Sequence, residues 1–107
     1  MSIRTYHFRL RDDVPLGRLD AREWSDEYDG DADEVSGAIV SDFHRYGTLL
    51  VDVVIRWSDA QLELRRERDD AGVPCIEWTW CGGSEVLATG YAKNEEDALH
   101  DAIVMEP

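Results

Sequence analysis

The spacing of the apolar residues changes along the chain, and this change limits the fold more than any other feature of the sequence. Apolar and polar residues alternate in residues 3–10 and through most of residues 48–92, which is typical of strands with one buried face. In residues 32–46 the apolar residues instead recur every three to four positions, as in an amphipathic helix. A second helical pattern follows Asn94.

These elements predict a two-layer α+β sandwich with the element order β-α-β-β-β-β-α. An antiparallel sheet of about five strands forms one layer, and two helices cover one face of it, because each helix must bury its apolar stripe. With 107 residues, the chain is expected to form one domain over residues 1–107.

Capping residues mark both ends of the first helix and the start of the second. Asp31 and Glu34 have the spacing of a capping box, and Gly47 is a natural terminator in the left-handed conformation. Asn94 is an N-cap candidate for the final helix. The apolar stripe predicted for that helix consists of Ala98, Leu99, Ala102 and Ile103.

A further short helix is possible after the first strand. Asp20 and Glu23 repeat the capping-box spacing, and Trp24 and Tyr28 lie four residues apart. An irregular acidic loop is the alternative for this segment.

The strand predicted from Thr48 onward leads into a hairpin with two possible registers. Its buried face would hold Leu49, Val51, Val53, Ile55 and Trp57. A two-residue loop at Ser58-Asp59 sets Asp52 opposite Arg65, whereas a four-residue loop sets Arg56 opposite Glu63.

Gly82-Gly83 indicates a second tight hairpin, since a type I′ turn needs positive φ at both positions. This turn would set Trp78 opposite Leu87 and place Tyr91 on the same face. Three of the four tryptophans, Trp57, Trp78 and Trp80, are then expected to fill the core.

The charge of the chain restricts its partners. The 24 acidic residues outnumber the 11 basic ones, which gives a net charge of −13. Such a chain repels nucleic acid and anionic membranes, so we expect no direct binding to either.

The two cysteines predict a location. Cys75 and Cys81 would lie roughly 20 Å apart along one strand, too far for a disulfide, and free thiols indicate a reducing, cytoplasmic location.

No catalytic or cofactor motif is present in the sequence, so we expect a protein that is not an enzyme, with no cofactor and no metal. The stretch from Asp29 to Asp33 resembles the first half of a calcium-binding loop. Glu34 and Val40, however, stand where that loop requires glycine and a bidentate glutamate.

The most informative feature is the uneven distribution of charge. Residues 12–34 contain ten acidic residues and two arginines, a net charge of −8. A carboxylate-rich surface can occupy a basic groove that is built for phosphates. We therefore predict docking to a basic surface of a protein partner, through these residues: Asp20, Glu23, Trp24, Asp26, Glu27, Tyr28, Asp29, Asp31 and Asp33.

Such a protein would act by nucleic-acid mimicry, as phage inhibitors of nucleic-acid-guided defence complexes (anti-CRISPR proteins) do. Nuclease-immunity proteins and antitoxins are alternatives, and the step from Ala88 into residues 94–99 is loosely similar to the strand-to-helix step of HicB-type antitoxins. The remaining alternative is that the acidity serves only solubility, as in halophilic proteins. The oligomeric state and the partner are not predicted.

Overall fold

The computed structural model describes residues 3–107, which form six strands, two α-helices and one 3-10 turn. In chain order, the helices and strands are β1 (Ile3–Leu10), β2 (Glu23–Asp29), α1 (Ala32–Tyr46), β3 (Val53–Trp57), β4 (Ala60–Arg68), β5 (Pro74–Gly82), β6 (Glu85–Ala92) and α2 (Glu95–Val104).

The strands form one antiparallel sheet in the order β2-β1-β3-β4-β5-β6. Both helices pack on the same face of this sheet, so the predicted two-layer α+β sandwich is confirmed, with six strands rather than about five. β2 and β6 are the two edge strands. The other face of the sheet, called the open face below, is not covered by either helix.

The core lies between the sheet and the helices, where alternate strand residues meet the apolar stripes of α1 and α2. Trp80 is fully buried there, and its indole N–H donates to the carbonyl oxygen of Ala102 at 2.7 Å, which fastens α2 to β5. Trp78 is also buried, as predicted, while Trp57 is half-buried.

The predicted bounds of α1 and the predicted caps of both helices are confirmed. The Asp31 side chain accepts a hydrogen bond from the Glu34 N–H at 2.9 Å, and Gly47 ends α1 with a φ of 71°. Asn94 caps α2 by accepting from the Asp97 N–H at 2.8 Å, and the predicted apolar stripe of α2 is buried. Within residues 3–107, neither helix is long and apolar enough to cross a membrane.

Both alternatives for the segment after Asp20, a short helix and an irregular loop, are wrong from Glu23 onward, because Glu23–Asp29 forms β2. Trp24 and Tyr28 share a face in a strand as well as in a helix, since positions four apart fall on one side of both. Pairing with β1, where Phe8 lies opposite Trp24, decides the conformation in favour of a strand.

The strand predicted from Thr48 begins five residues later, at Val53, and a 3-10 turn covers Leu50–Asp52. This turn buries Leu50 and leaves Leu49 46% exposed, which reverses the predicted alternation at that point. The hairpin loop is Ser58-Asp59, the shorter of the two alternatives. Because Asp52 lies in the 3-10 turn, however, it does not pair with Arg65.

The predicted register of the second hairpin is also wrong. Gly82 pairs with Glu85, so the turn is Gly83-Ser84, and a bulge follows in β6. Trp78 therefore lies opposite Gly90, not Leu87, and a Cβ at Gly90 would overlap its indole ring. Tyr91 consequently lies on the open face and is 63% exposed.

Candidate docking surface

The nine residues predicted to bind a partner are divided by the alternation of β2. Glu23, Glu27 and Asp29 are exposed and belong to the open face. Trp24, Asp26 and Tyr28 point to the opposite side, toward α1. The remaining three flank the strand, with Asp20 in the loop before it and Asp31 and Asp33 at the start of α1.

The two aromatic residues of this set hold β2 to α1. Tyr28 is only 7% exposed, and its hydroxyl donates to the Asp42 carboxylate of α1 at 2.8 Å. Burial raises the pKa of Tyr28, and the neighbouring carboxylate raises it further. Trp24 is half-buried and stacks on Phe8 with ring centroids 5.3 Å apart. Both therefore contribute to packing rather than standing out as exposed anchors.

The Asp26 side chain is half-buried on the face of β2 that packs against α1. Burial raises the pKa of this carboxyl group, the nearby Asp42 carboxylate raises it further, and Arg45 opposes the shift. Its negative charge is thus directed toward another acidic side chain of the same protein, rather than toward an exposed edge.

At the start of β2, arginines lie among the acidic residues. Arg22 fastens the preceding loop by donating to the carbonyl oxygens of Arg11 at 3.0 Å and Val14 at 2.9 Å. Glu23 lies directly opposite Arg9 on the open face. The negative charge of Glu23 is therefore partly offset by Arg9 in this region.

At the other end of β2, the acidic residues are concentrated where the strand turns into α1. We call this surface the acidic corner; it consists of Glu27, Asp29, Asp31, Asp33 and Glu34. All five side chains are exposed. Asp33 lies 2.5 Å from His100 of α2, but no arginine or lysine of residues 3–107 forms an ion pair with any of the five.

Gly30 makes the sharp turn at this corner possible. Its φ is 121°, a conformation that disfavours other residues, and a Cβ here would lie 2.5 Å from a carboxylate oxygen of Glu34. The positive end of the α1 dipole then favours the three acidic residues that begin the helix. Glu34, which the predicted set omits, lies against Gly30 at this turn, and its N–H donates to the Asp31 carboxylate.

The corner presents a concentration of negative charge. Among the residues that the structure describes, no group of three or more His, Cys, Asp or Glu side chains could hold a metal ion. Cys75 and Cys81 are free thiols on β5. Exposed carboxylates that have no arginine or lysine partner can form ion pairs and charge-assisted hydrogen bonds with a basic partner.

The comparisons with known proteins add no further constraint. The chain matches no family model, no curated protein and no solved structure.

Proposed function

We propose that this protein is a non-catalytic binding protein whose acidic corner occupies a basic, nucleic-acid-binding surface of a protein partner. The observation that supports this proposal most is the concentration of five exposed carboxylates without an arginine or lysine partner in residues 3–107. On binding, arginines or lysines of the partner would form ion pairs with these carboxylates, which have no such partner within residues 3–107.

The spacing of the carboxylates suits the imitation of a phosphate backbone. Glu27 and Asp29 are two residues apart on one face of β2, which separates them by roughly 6.6 Å along the strand. One strand of duplex DNA carries a charge about every 3.4 Å along its axis. β2 alone thus offers about half of that charge density, and the acidic residues at the start of α1 add to it.

Association at such a surface would be steered by long-range attraction. The net charge of −13 raises the encounter rate with a basic partner, and this attraction weakens as salt shortens the screening length to about 8 Å at 0.15 M. With Trp24 and Tyr28 turned toward α1, affinity would depend on ion pairs more than on an inserted aromatic side chain. We therefore expect binding that is fast and sensitive to salt.

Inhibition of a nucleic-acid-guided defence complex by a phage-type, anti-CRISPR-like protein is the form of this function that we favour. Inhibition of a nuclease by an immunity or antitoxin-type protein would use the same chemistry. The second candidate function is a small domain whose acidity is an adaptation to solubility or high salt. Exposed acidic residues in loops far along the sheet from the corner, at Asp59, Asp69 and Asp70, favour that alternative.

Displacement from immobilised DNA distinguishes the two candidates. DNA–cellulose is loaded with a lysate of cells in which the protein occurs, and the purified protein is then added at low and at high salt. The proposal predicts selective release of one or a few basic proteins at low salt, and loss of that release at high salt. Release of nothing above buffer alone, together with a melting temperature that rises steadily with salt, would favour the solubility role.

A further inference from the structure

A row of polar side chains crosses four strands on the open face of the sheet. Ser25 of β2 lies opposite His7 of β1, and His7 in turn lies opposite Arg56 of β3. Arg56 lies opposite Gln61 of β4. Side chains directly opposite one another on one sheet face have Cβ atoms about 4.5–5.5 Å apart, so the four form a continuous line.

The row lies in a depression of about 660 Å³ that is open to solvent. Arg9 and Ser58 also line this depression, and Glu23 is the one acidic residue that does so among residues 3–107. The depression thus brings donor groups from four strands and a turn toward one volume, in a protein whose surface is otherwise dominated by carboxylates.

The donors in this row are available to a ligand. Arg56 is exposed and forms no ion pair or side-chain hydrogen bond with the part of the chain that the structure describes. The His7 Nδ1 atom lies 2.5 Å from Ser25 Oγ, which leaves Nε2 without a partner in residues 3–107. Arg9 is already held by Asp12 at 3.2 Å.

The row also has an electrostatic imbalance. No carboxylate belongs to it, and two side chains that can carry positive charge, His7 and Arg56, stand directly opposite each other. An anion bound between these two side chains could accept hydrogen bonds from both of them.

We propose that this row binds a phosphate group, either as inorganic phosphate or as the monoester of a small molecule. The Arg56 guanidinium can donate to two phosphate oxygens, and protonated His7 can donate to a third through Nε2. When His7 Nδ1–H donates to Ser25, the Ser25 hydroxyl hydrogen is free to donate as well, and the Gln61 amide flanks Arg56. A phosphate monoester, with three acceptor oxygens and a charge near −2, matches these donors better than a two-oxygen carboxylate.

The surrounding charge limits the ligand to a small one. Glu23 and Glu27 each lie two residues from Ser25 on the open face, and Asp29 follows at the acidic corner. A small dianion can contact Arg56 without approaching these carboxylates, whose repulsion is screened by salt at longer distances. An extended nucleic acid would also lie against the carboxylates and be repelled by them. We therefore expect binding of isolated phosphate groups and not of a polynucleotide.

The test is an NMR titration of the three histidine imidazoles with inorganic phosphate, at fixed pH and at ionic strength balanced with sodium chloride. We expect a saturable shift of the His7 signals. His44 and His100 serve as internal controls, because they lie on the helical side of the protein near Glu96 and Asp33. Equal, non-saturating shifts of all three histidines would overturn the proposal.

Two exposed arginines of the open face provide matched variants. We expect Arg56→Gln to weaken phosphate binding by about tenfold or more, the effect of losing charge-assisted hydrogen bonds to an anion. Arg65→Gln makes the same change of charge on β4, outside the depression, and should bind as the wild type does. Equal affinity of the two variants, or acetate binding as tightly as phosphate, would contradict a phosphate site at this row.

A second ligand identifies the source of the phosphate. Adenosine 5′-monophosphate that binds as tightly as inorganic phosphate would assign the site to the phosphate group alone. Tighter binding of the nucleotide would assign it to a phosphorylated small molecule. Both results support the proposal, while a single-stranded oligonucleotide without a terminal phosphate that shifts His7 more strongly than either would contradict it.

Discussion

The two helices begin in similar ways but use their acidic residues differently. Both have a capping residue, Asp31 for α1 and Asn94 for α2, followed by acidic residues in the first turn. In α2, Glu95 turns inward, where its carboxylate accepts from the Leu50 N–H at 3.0 Å and lies 3.8 Å from Arg66. At the start of α1, the acidic residues remain exposed; Asp33 lies 2.5 Å from His100, and none of them pairs with an arginine or lysine of residues 3–107.

This difference separates acidic residues that stabilise the fold from those available to a partner. Both helix starts have a dipole that favours negative charge, so acidic composition alone does not distinguish them. What distinguishes them is an arginine partner: Glu95 lies 3.8 Å from Arg66, whereas no residue of the acidic corner pairs with an arginine or lysine within residues 3–107. The corner is therefore the better candidate for docking, although the two sequences look alike.

The largest expected effect comes from removing the inward contact of α2. Glu95→Ala should lower the free energy of unfolding by about 2 kcal/mol, because the buried N–H of Leu50 loses its acceptor. Urea unfolding followed by tryptophan fluorescence measures the loss. Glu96→Ala, next in the chain and exposed, should change the free energy by less than about 0.5 kcal/mol. Equal losses for the two variants would remove the distinction between the helix starts.

The caps should matter equally in both helices. Asp31→Ala and Asn94→Ala should each destabilise the protein by about 1 kcal/mol, because each leaves a backbone N–H of the first turn without its acceptor. Asp31→Asn keeps the cap and removes the charge, so its stability should stay within about 0.5 kcal/mol of the wild type. A loss with Asp31→Asn as large as that with Asp31→Ala would show that the charge itself stabilises α1.

The smallest effect is expected at Asp26 and depends on pH. Folding raises the pKa of this carboxyl group, so its ionisation opposes folding. The contribution of this group to the free energy of unfolding therefore falls as pH rises through the raised pKa. Asp26→Asn should therefore stabilise the protein slightly at neutral pH, by about 0.5 kcal/mol or less. The gain should vanish below the ordinary aspartate pKa of 3.8, where the wild-type carboxyl group is protonated in both states. Urea unfolding at both pH values tests this, and a gain that grows at low pH would contradict it.

Much of the fold could be predicted because local signals and tertiary packing agree. α1 has a capping box, a helical stripe and a terminal glycine, and its bounds were predictable to the residue. The strand β2 was not predictable in this way. Trp24 and Tyr28 share a face in a helix as well as in a strand, and the polar Asp26 between them hides the alternation typical of a strand. The bulge in β6 was also hidden, since the need for glycine opposite Trp78 arises only once the strands pair.

The candidate sites were predictable only in part, because they too depend on how the strands run and pair. The concentration of acidic residues is visible in the sequence, but the separation of the corner from Asp20 and Glu23 depends on the direction of β2. The row on the open face was missed entirely. His7 and Arg56 are each visible as polar positions of alternating strands, yet nothing in the sequence shows that β1 pairs with β3.

The most direct test of the docking function compares two variants of equal net charge. In the corner variant, Glu27→Gln, Asp29→Asn and Glu34→Gln remove three charges from the acidic corner. In the control variant, Asp59→Asn, Asp70→Asn and Glu85→Gln remove three charges from exposed positions at the turns between the later strands.

The measurement is the amount of protein that each variant and the wild type release from loaded DNA–cellulose at low salt. We expect the control variant to release the same proteins as the wild type at the same added concentration, and the corner variant to need at least about tenfold more for the same release, a loss of about 1.4 kcal/mol in affinity. Equal loss in both variants would show that total charge, and not the acidic corner, is responsible, and release by the corner variant equal to that of the wild type would contradict the docking surface itself.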